Sequence, residues 1–432
     1  MNGPTIISRP DHSISRAGIS ENALKVLYRL KNEGYEAYLV GGGVRDLLLG
    51  REPKDFDITT NAEPEQIRAI FRNCRLIGRR FRLAHIVFGR DVVEVATFRG
   101  QGTDAVEGEI EADESGRLLR DNVYGSLEED AWRRDFTVNS LYYNIRDFSV
   151  VDYTGGLADL EAGVLRIIGD PRQRYREDPV RMLRAVRFAA KIGFRLEKET
   201  EAAVFELGHL LQDIPAARLF DEVLKLLMGG CAIQTFELLR HYNLFQHLFP
   251  QTEQALAIEE GGFPLVMLVQ ALGNTDERIA EGKPVTPAFL FAALLWEPVR
   301  LAWEQEVAAD ESLPQALALT NAMREVVSKQ VQSTALPRRF STPMQEIWMM
   351  QPRLARRAGK AAYRLLEHPR FRAAYDFMLL RIHAGEEEQE LGEWWTEFQI
   401  ADSDRRKEMV SVFGTVRGRR RRRRRGPRTA AK

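Results

Sequence analysis

The sequence predicts an α+β protein: a mixed sheet confined to the N-terminal part, an extended all-α region after it, and a basic C-terminal tail expected to be disordered. Three observations lead there. Short runs with period-two spacing, bounded by Gly, Pro and Asn, alternate with short helices as far as Asp152. From Asp178 to about residue 400 apolar residues recur at helical spacing and few strands are convincing. From Arg417 to Lys432 there are ten basic residues and no acidic one.

With 432 residues the chain has room for about two to four domains. A composition of 44% hydrophobic and 29% charged residues is that of a globular protein. The longest apolar run, Ala288 to Trp296, is too short to span a bilayer, so no membrane insertion or export is expected and the location read from the sequence is cytoplasmic. Cys74 and Cys231 are the only cysteines, which excludes a disulfide framework and a zinc cluster. The net charge is zero, yet without the tail 52 basic residues face 62 acidic ones. An acidic body with a basic arm suits a polyanionic partner.

Residues 1 to 20 read as a mobile lead-in, followed by a helix from Ile19 to Leu30 with Ser20 as N-cap. The run YLVGGGVRDLLLGREPKDFD, residues 38 to 57, comes next. Tyr38 to Val40 end a buried strand, Gly41 to Gly43 let the backbone turn and approach a ligand, and Gly50 stops the short helix that follows. The glycines fit neither a dinucleotide fingerprint nor a P-loop, since Asp46 replaces the third glycine and no Gly-Lys-Ser/Thr follows. Asp55, Phe56, Asp57 and Ile58 read as a strand with both carboxylates on one face. Solvent or a cation must lie between them, and hard oxygen donors favour magnesium.

Asn61 is expected to cap a helix reaching about Asn73. Strands are expected at 75 to 77, 85 to 88 and 92 to 98, with a turn at Gly89 to Asp91. Glu94 then lies on an otherwise apolar face and needs a partner, either a nearby arginine or a place beside Asp55 and Asp57. Gln101 to Gly116 carries six acidic residues and no Lys or Arg, and reads as an exposed loop. Strands return at 141 to 145 and 148 to 152, and Gly155 with Gly156 marks a domain junction.

Asp178 as N-cap, Pro179 at the first turn and Gly193 as stop bracket a helix. Val180, Leu183 and Val186 form its apolar stripe, and Arg181, Arg184 and Arg187 a neighbouring one that suits either solvent or phosphate and base contacts. Helices follow near 218 to 228, 233 to 242, 288 to 306, 312 to 332 and 343 to 383. Trp296, Trp303, Trp348, Trp394 and Trp395 read as core anchors of this block.

LVGGGVRD and DFD, followed by RRDFTVNSLYYN (133 to 144) and REDPVRMLRAVRFAAKIGF (176 to 194), resemble the class II nucleotidyltransferases, which comprise tRNA CCA-adding enzymes and bacterial poly(A) polymerases. Within that superfamily, LIGRRFRLAHIVF (76 to 88), the helical block and the arginine-rich end are similar to the poly(A) polymerases. The resemblance implies a nucleotidyltransferase head over 21 to 156, a neck for base recognition and RNA binding over 157 to 230, a helical body and leg over 231 to 410 and a disordered tail over 411 to 432. It implies two Mg²⁺ ions, with Mn²⁺ as a substitute, held by Asp55, Asp57 and Glu94, and ATP as substrate. Gly41 and Gly42, with Arg45, would receive the triphosphate. Arg134 and Asp135 would be active-centre residues that bind the nucleotide, with Asp135 able to accept from the ribose 2′-hydroxyl. Asp178 and Arg181 would read the base, with Arg184 a further nucleotide-binding residue. Asp46 would be a local hydrogen-bond acceptor. Arg419, Arg420, Arg421, Arg422, Arg423, Arg424 and Arg425 would retain RNA.

The implied activity is template-independent addition of AMP to RNA 3′ ends of messenger, regulatory or precursor transfer RNA, in the company of RNA-decay proteins. CCA addition to tRNA is the alternative within the superfamily. A non-catalytic RNA-binding scaffold is the alternative of another class.

Overall fold

The structure, a computed structural model, describes residues 3–78, 82–100, 110–112, 118–121, 123–257 and 263–422. The chain separates into two units, Met1–Leu210 and Leu211–Lys432. The junction expected at Gly155 and Gly156 falls inside the first.

The first unit starts with β1 (Thr5–Ile7), which pairs with a later strand through Ile6 opposite Val151. Ile14 and Ile19, farther along, are buried. The lead-in expected to be mobile therefore contains an edge strand followed by buried anchors: Thr5 to Ile7 find a ladder while staying largely exposed, and Ile14 and Ile19 find the core. Helix α1 (Glu21–Asn32) begins where expected, with Ser20 Oγ accepting the Ala23 N–H at 3.1 Å. Ala23, Val26, Leu27 and Leu30 bury one face of it.

Strand β2 (Ala37–Val40) leads through Gly41 into α2 (Gly42–Leu48), and Gly50, at φ 68°, ends that turn. β3 (Asp57–Thr60) begins at the second aspartate, so Asp55 lies just ahead of the strand expected to contain it. Helix α3 (Pro64–Ile70) is capped by Glu63, which forms a reciprocal capping box with Gln66. Asn61, the expected cap, accepts the Glu36 N–H at 2.8 Å instead. Strands β4 (Cys74–Ile77), β5 (Leu83–Phe88) and β6 (Asp91–Thr97) follow. Part of the expected acidic loop is ordered: β7 (Ile110–Ala112) pairs antiparallel with β8 (Leu118–Asp121). The rest of that loop lies outside the described residues.

Helix α4 (Leu127–Arg133) has its own capping box, Ser126 with Glu129. β9 (Leu141–Asn144) and β10 (Val150–Asp152) complete the main sheet, whose order is β1-β10-β9-β2-β3-β6-β5-β4. Among the described strands of this sheet, only the β3 and β6 pair is parallel. α5 (Gly156–Glu161) and β11 (Val164–Leu165) then lead to α6 (Pro171–Glu177), α7 (Val180–Ile192), β12 (Arg195–Leu196) and α8 (Lys198–Leu207). Asp178, expected to cap α7, sits at the C-terminal end of α6, yet its Oδ1 still accepts the Val180 N–H at 3.3 Å. Gly193, at φ 75°, stops α7 as expected.

The described residues of the second unit are helical. The single helix expected over 343 to 383 is three, Arg338–Leu354, Lys360–Leu366 and Phe371–His383. Gly359 at φ 65° makes one break, and Pro369 lies in the other. Trp296, Trp348 and Trp395 are fully buried, and their indole N–H groups donate to Glu386, to the Ala292 carbonyl and to the Leu354 carbonyl. Trp394 is nearly as buried, whereas Trp303 is half-buried. The last helix, Ser403–Arg422, takes in the start of the tail expected to be disordered, and Arg423, Arg424 and Arg425 lie outside the described residues.

Gly156 packs so tightly that a Cβ there would stand 2.2 Å from the Thr137 carbonyl oxygen. Gly156→Ala should therefore destabilise the protein by about 2 kcal/mol through overpacking against backbone, read as a lowered denaturant midpoint.

Candidate active site

The glycine turn is shaped by Gly41, whose φ of 74° and ψ of −135° only glycine adopts without strain. Its amide donates to the Leu141 carbonyl at 3.4 Å. Arg45, expected at the phosphates, is 1% exposed and turned inward. Its Nε and Nη2 donate to Asp46 Oδ1 at 2.9 and 2.7 Å, its Nη1 donates to Asn139 Oδ1 at 2.6 Å, and its plane lies over Phe188. Arg45 thus braces α2 against the segment after α4 and against α7. Asp46 is the local acceptor its position suggested.

The carboxylates are brought together by register. Ile58 pairs with Val95 across the parallel β3 and β6, which sets Asp57 beside Glu94 one step earlier. Although the surface of Asp57 reaches solvent, surrounding protein raises its carboxyl to about 6, helped by the charges of Glu94 and Asp55 and opposed by Arg134. Glu94 has a histidine partner where an arginine was one expectation: His85, opposite it on β5, places Nε2 3.2 Å from Oε1. Among the described residues no three His, Cys, Asp or Glu side chains converge into a ready-made metal cage. The donor set nonetheless fits a divalent cation, since hard carboxylate oxygens that repel one another are stabilised by one.

Arg134 and Asp135 follow α4 and sit in two separate ionic clusters. Arg134 Nε donates to Asp130 Oδ2 at 3.1 Å and to the Tyr142 hydroxyl at 2.9 Å, and Nη2 donates to Asp130 Oδ2 at 3.0 Å. Asp135 accepts from Arg181 Nε at 3.2 Å on one oxygen and from Arg184 Nε at 2.6 Å on the other. Burial alone would raise the Asp135 carboxyl, but Arg184 and then Arg181 outweigh it and hold the group below its usual range. Arg181 Nη1 also donates to the Arg174 carbonyl at 2.7 Å and to Glu177 at 3.0 Å. Arg174 Nη2 in turn donates to the Arg133 and Arg134 carbonyls at 3.0 and 2.7 Å.

The residues expected at ribose and base, Asp135, Arg181 and Arg184, are therefore one cluster, with Asp178 at the turn between α6 and α7. Arg181 and Arg184 both turn to Asp135, Arg184 keeping 34% of its side chain exposed. Asp130, Tyr142, Arg174, Asn139 and His85 were not singled out from the sequence. Asp130 alone left a signal, four residues before Arg134 and on the same side of a helix.

Comparison with known proteins agrees along the chain. Residues 37–166 match a family described as the poly A polymerase head domain. Residues 193–256 match one described as a probable RNA and SrmB-binding site of polymerase A, and 311–429 the polymerase A arginine-rich C-terminus. A poly(A) polymerase I of Escherichia coli O6:H1 (strain CFT073) is 53% identical over 98% of this chain and 91% of its own length. A CCA-adding enzyme of Lactobacillus helveticus is 32% identical over 59% of this chain and 64% of its own. A solved structure entitled "tRNA-processing enzyme (apo form 2)" has the same fold, at a TM-score of 0.58 and 22% identity, covering 90% of this chain and 99% of that one. The head-domain match and the 53% identical relative together define the class, a nucleotidyltransferase whose head is followed in the chain by a helical region. Within that class, the chain belongs to the poly(A) polymerase I family.

Because Asp135 titrates below its usual range, the stability it contributes is complete above the ordinary aspartate value of 3.8 and disappears as pH falls through the depressed one. Asp135→Asn should therefore be less stable than the parent by roughly 2 kcal/mol near neutrality. Denaturant midpoints of the two proteins should converge on acidification below the ordinary aspartate range, whereas a gap that persists there would contradict the ionic account.

Proposed function

We propose that the protein transfers AMP from ATP to RNA 3′ ends without a template, releasing pyrophosphate, and so supports RNA processing and decay. What carries this reading is that similarity to a poly(A) polymerase I runs through 98% of the chain, helical half included, whereas the CCA-adding relative matches 59%. The site supports the chemistry. Asp55, Asp57 and Glu94 would hold Mg²⁺, which when bound acidifies the attacking 3′-hydroxyl and offsets the charge of the triphosphate.

The remaining work falls to side chains and backbone of this chain. Gly41 lets the backbone approach the phosphates, Gly42 offers an amide, and Arg134 supplies the nearby cation. Each Asp135 oxygen donates no proton and keeps a further lone pair beyond its arginine, so the carboxylate can still accept from the ribose 2′-hydroxyl. Asp178 can accept from adenine N6 while Arg181 donates to N1, with Arg184 fixing the cluster. Cytosine N4 and N3 offer the same donor and acceptor pattern, so this pair excludes guanine and uracil more readily than it separates ATP from CTP.

Incubation of labelled RNA with ATP or CTP alone tests the reading: a long ladder with ATP supports it, and a defined C-C-A addition to tRNA would replace it with the alternative. Asp55→Ala with Asp57→Ala should lower incorporation at least about 1,000-fold with RNA binding retained, as loss of metal ligands predicts.

The arginine-rich tail is proposed to retain RNA through its phosphates. If about eight of its arginines meet single-stranded phosphate, log affinity falls with log salt at a slope of about −6. Deleting residues 417 to 432 should flatten that slope in a binding titration, and an unchanged slope would remove the tail from RNA retention.

A further inference from the structure

A guanidinium on a long, flexible stem loses most of its directing power unless its plane is fixed. Around Arg134 it is fixed by two residues with no role in the reaction as described so far. Asp130 stands one helical turn before it on α4 and is 3% exposed. Tyr142, fully buried, lies on β9 directly opposite Val40, the residue before the Gly41 turn.

Asp130 Oδ2 accepts from Arg134 Nε and Nη2 and, at 2.8 Å, from the Tyr142 hydroxyl. Its other oxygen accepts the Arg99 N–H at 3.2 Å, which anchors the carboxylate to the strand side of the site. The Tyr142 hydroxyl accepts from Arg134 Nε at 2.9 Å as it donates to Asp130, and the guanidinium carbon lies 5.3 Å from the Tyr142 ring centre. Two of the three guanidinium nitrogens are thereby fixed on the protein side. Since the group is planar, the third follows: Nη1 lies 3.6 Å from where a Cβ on Gly41 would stand. Among the charges that act most on Asp57, Arg134 is the cation.

A buried ion pair kept only for stability has little to recommend it, because an apolar replacement of the same volume is commonly as good. A pair that leaves one donor aimed at a turn where an anion can approach has a second use. We propose that Asp130 and Tyr142 are positioning residues for nucleotidyl transfer, locking the Arg134 guanidinium so that Nη1 faces the Gly41 turn and the triphosphate. The proposal rests on the reading of Arg134 given above, and it adds that the direction of this cation, beyond its presence, sets the rate.

Steady-state adenylation by the full chain, with ATP varied at saturating RNA, tests it in a cycle of Tyr142→Phe, Arg134→Lys and the double variant. Tyr142→Phe should lower kcat/KM for ATP about 10-fold, mainly through kcat, with RNA affinity unchanged. Arg134→Lys should lower it about 100-fold, and the double variant should be no worse than Arg134→Lys alone within about twofold, because both changes remove one interaction. Losses that multiply in the double variant would overturn the proposal, as would Tyr142→Phe activity within about twofold of the parent. If Arg134→Lys is itself as active as the parent, nothing remains to be positioned and the proposal fails, while the parent's ladder with ATP still reports separately on the activity. Should Tyr142→Phe not fold, Asp130→Asn, of nearly equal size, takes its place in the same cycle.

Discussion

Two like charges stand side by side in this fold because two strands run parallel. β3 and β6 are neighbours in the same direction, so a one-step extension of the Ile58 and Val95 pair puts Asp57, the first residue of β3, next to Glu94 in the middle of β6. Pairing of like charges on neighbouring strands is unfavourable. It persists here because the apolar residues that alternate with them, Ile58 on one strand and Val93 and Val95 on the other, are buried and hold the register. A slip by one residue would move the carboxylates to the opposite face and expose that core. The packing of the sheet therefore fixes the acidic face, at the expense of a carboxyl raised to about 6 at Asp57.

The rest of the first unit supplies guanidinium groups anchored by carboxylates, of which Arg134 acts directly on Asp57. Arg134 has Asp130, Arg181 and Arg184 share Asp135, and Arg45 has Asp46. Three of these four arginines, with Arg174, connect α6 and α7 or α4 to the short RRD segment, so a helix far along the chain shares the fate of the sheet. Glu177 and the carbonyls of Arg133, Arg134 and Arg174 complete the mesh. Paired charges of this kind contribute modestly to stability and strongly to geometry, since each bond restricts where a long side chain can point.

Much of this was legible in the sequence, and the exceptions share a cause. Alternation and turn residues placed β2, β4, β5, β6, β9 and β10, and Ser20 and Gly193 placed the ends of two helices, because those signals act within a few residues. The DxD carboxylates, Glu94 and the arginines of α7 were visible as residue types. Their partners were not. That Glu94 would meet His85, that Asp135 would receive Arg181 and Arg184, and that Arg45 would turn inward to Asn139 depend on strand order and on helix rotation, which no local pattern states. The first 20 residues show the same limit: Thr5 to Ile7 look like a loose end until Val150 to Asp152 are known to lie beside them.

The glycine turn illustrates how far residue type alone can mislead about an anion site. Two guanidinium groups flank it, Arg134 near Gly41 and Arg45 near Gly42, and a count of charges would make it strongly positive. Yet Arg45 is neutralised by Asp46 and is 1% exposed, and Arg134 is paired with Asp130. Net charge at the turn is close to balanced, so little long-range attraction for an anion originates there. What survives the pairing is directional: the Nη1 edge of Arg134 and backbone amides that glycine leaves uncovered. Such donors act at hydrogen-bond distance and select shape, so under the proposed function the fit of a phosphate at this turn would depend on how rigidly those few donors are held.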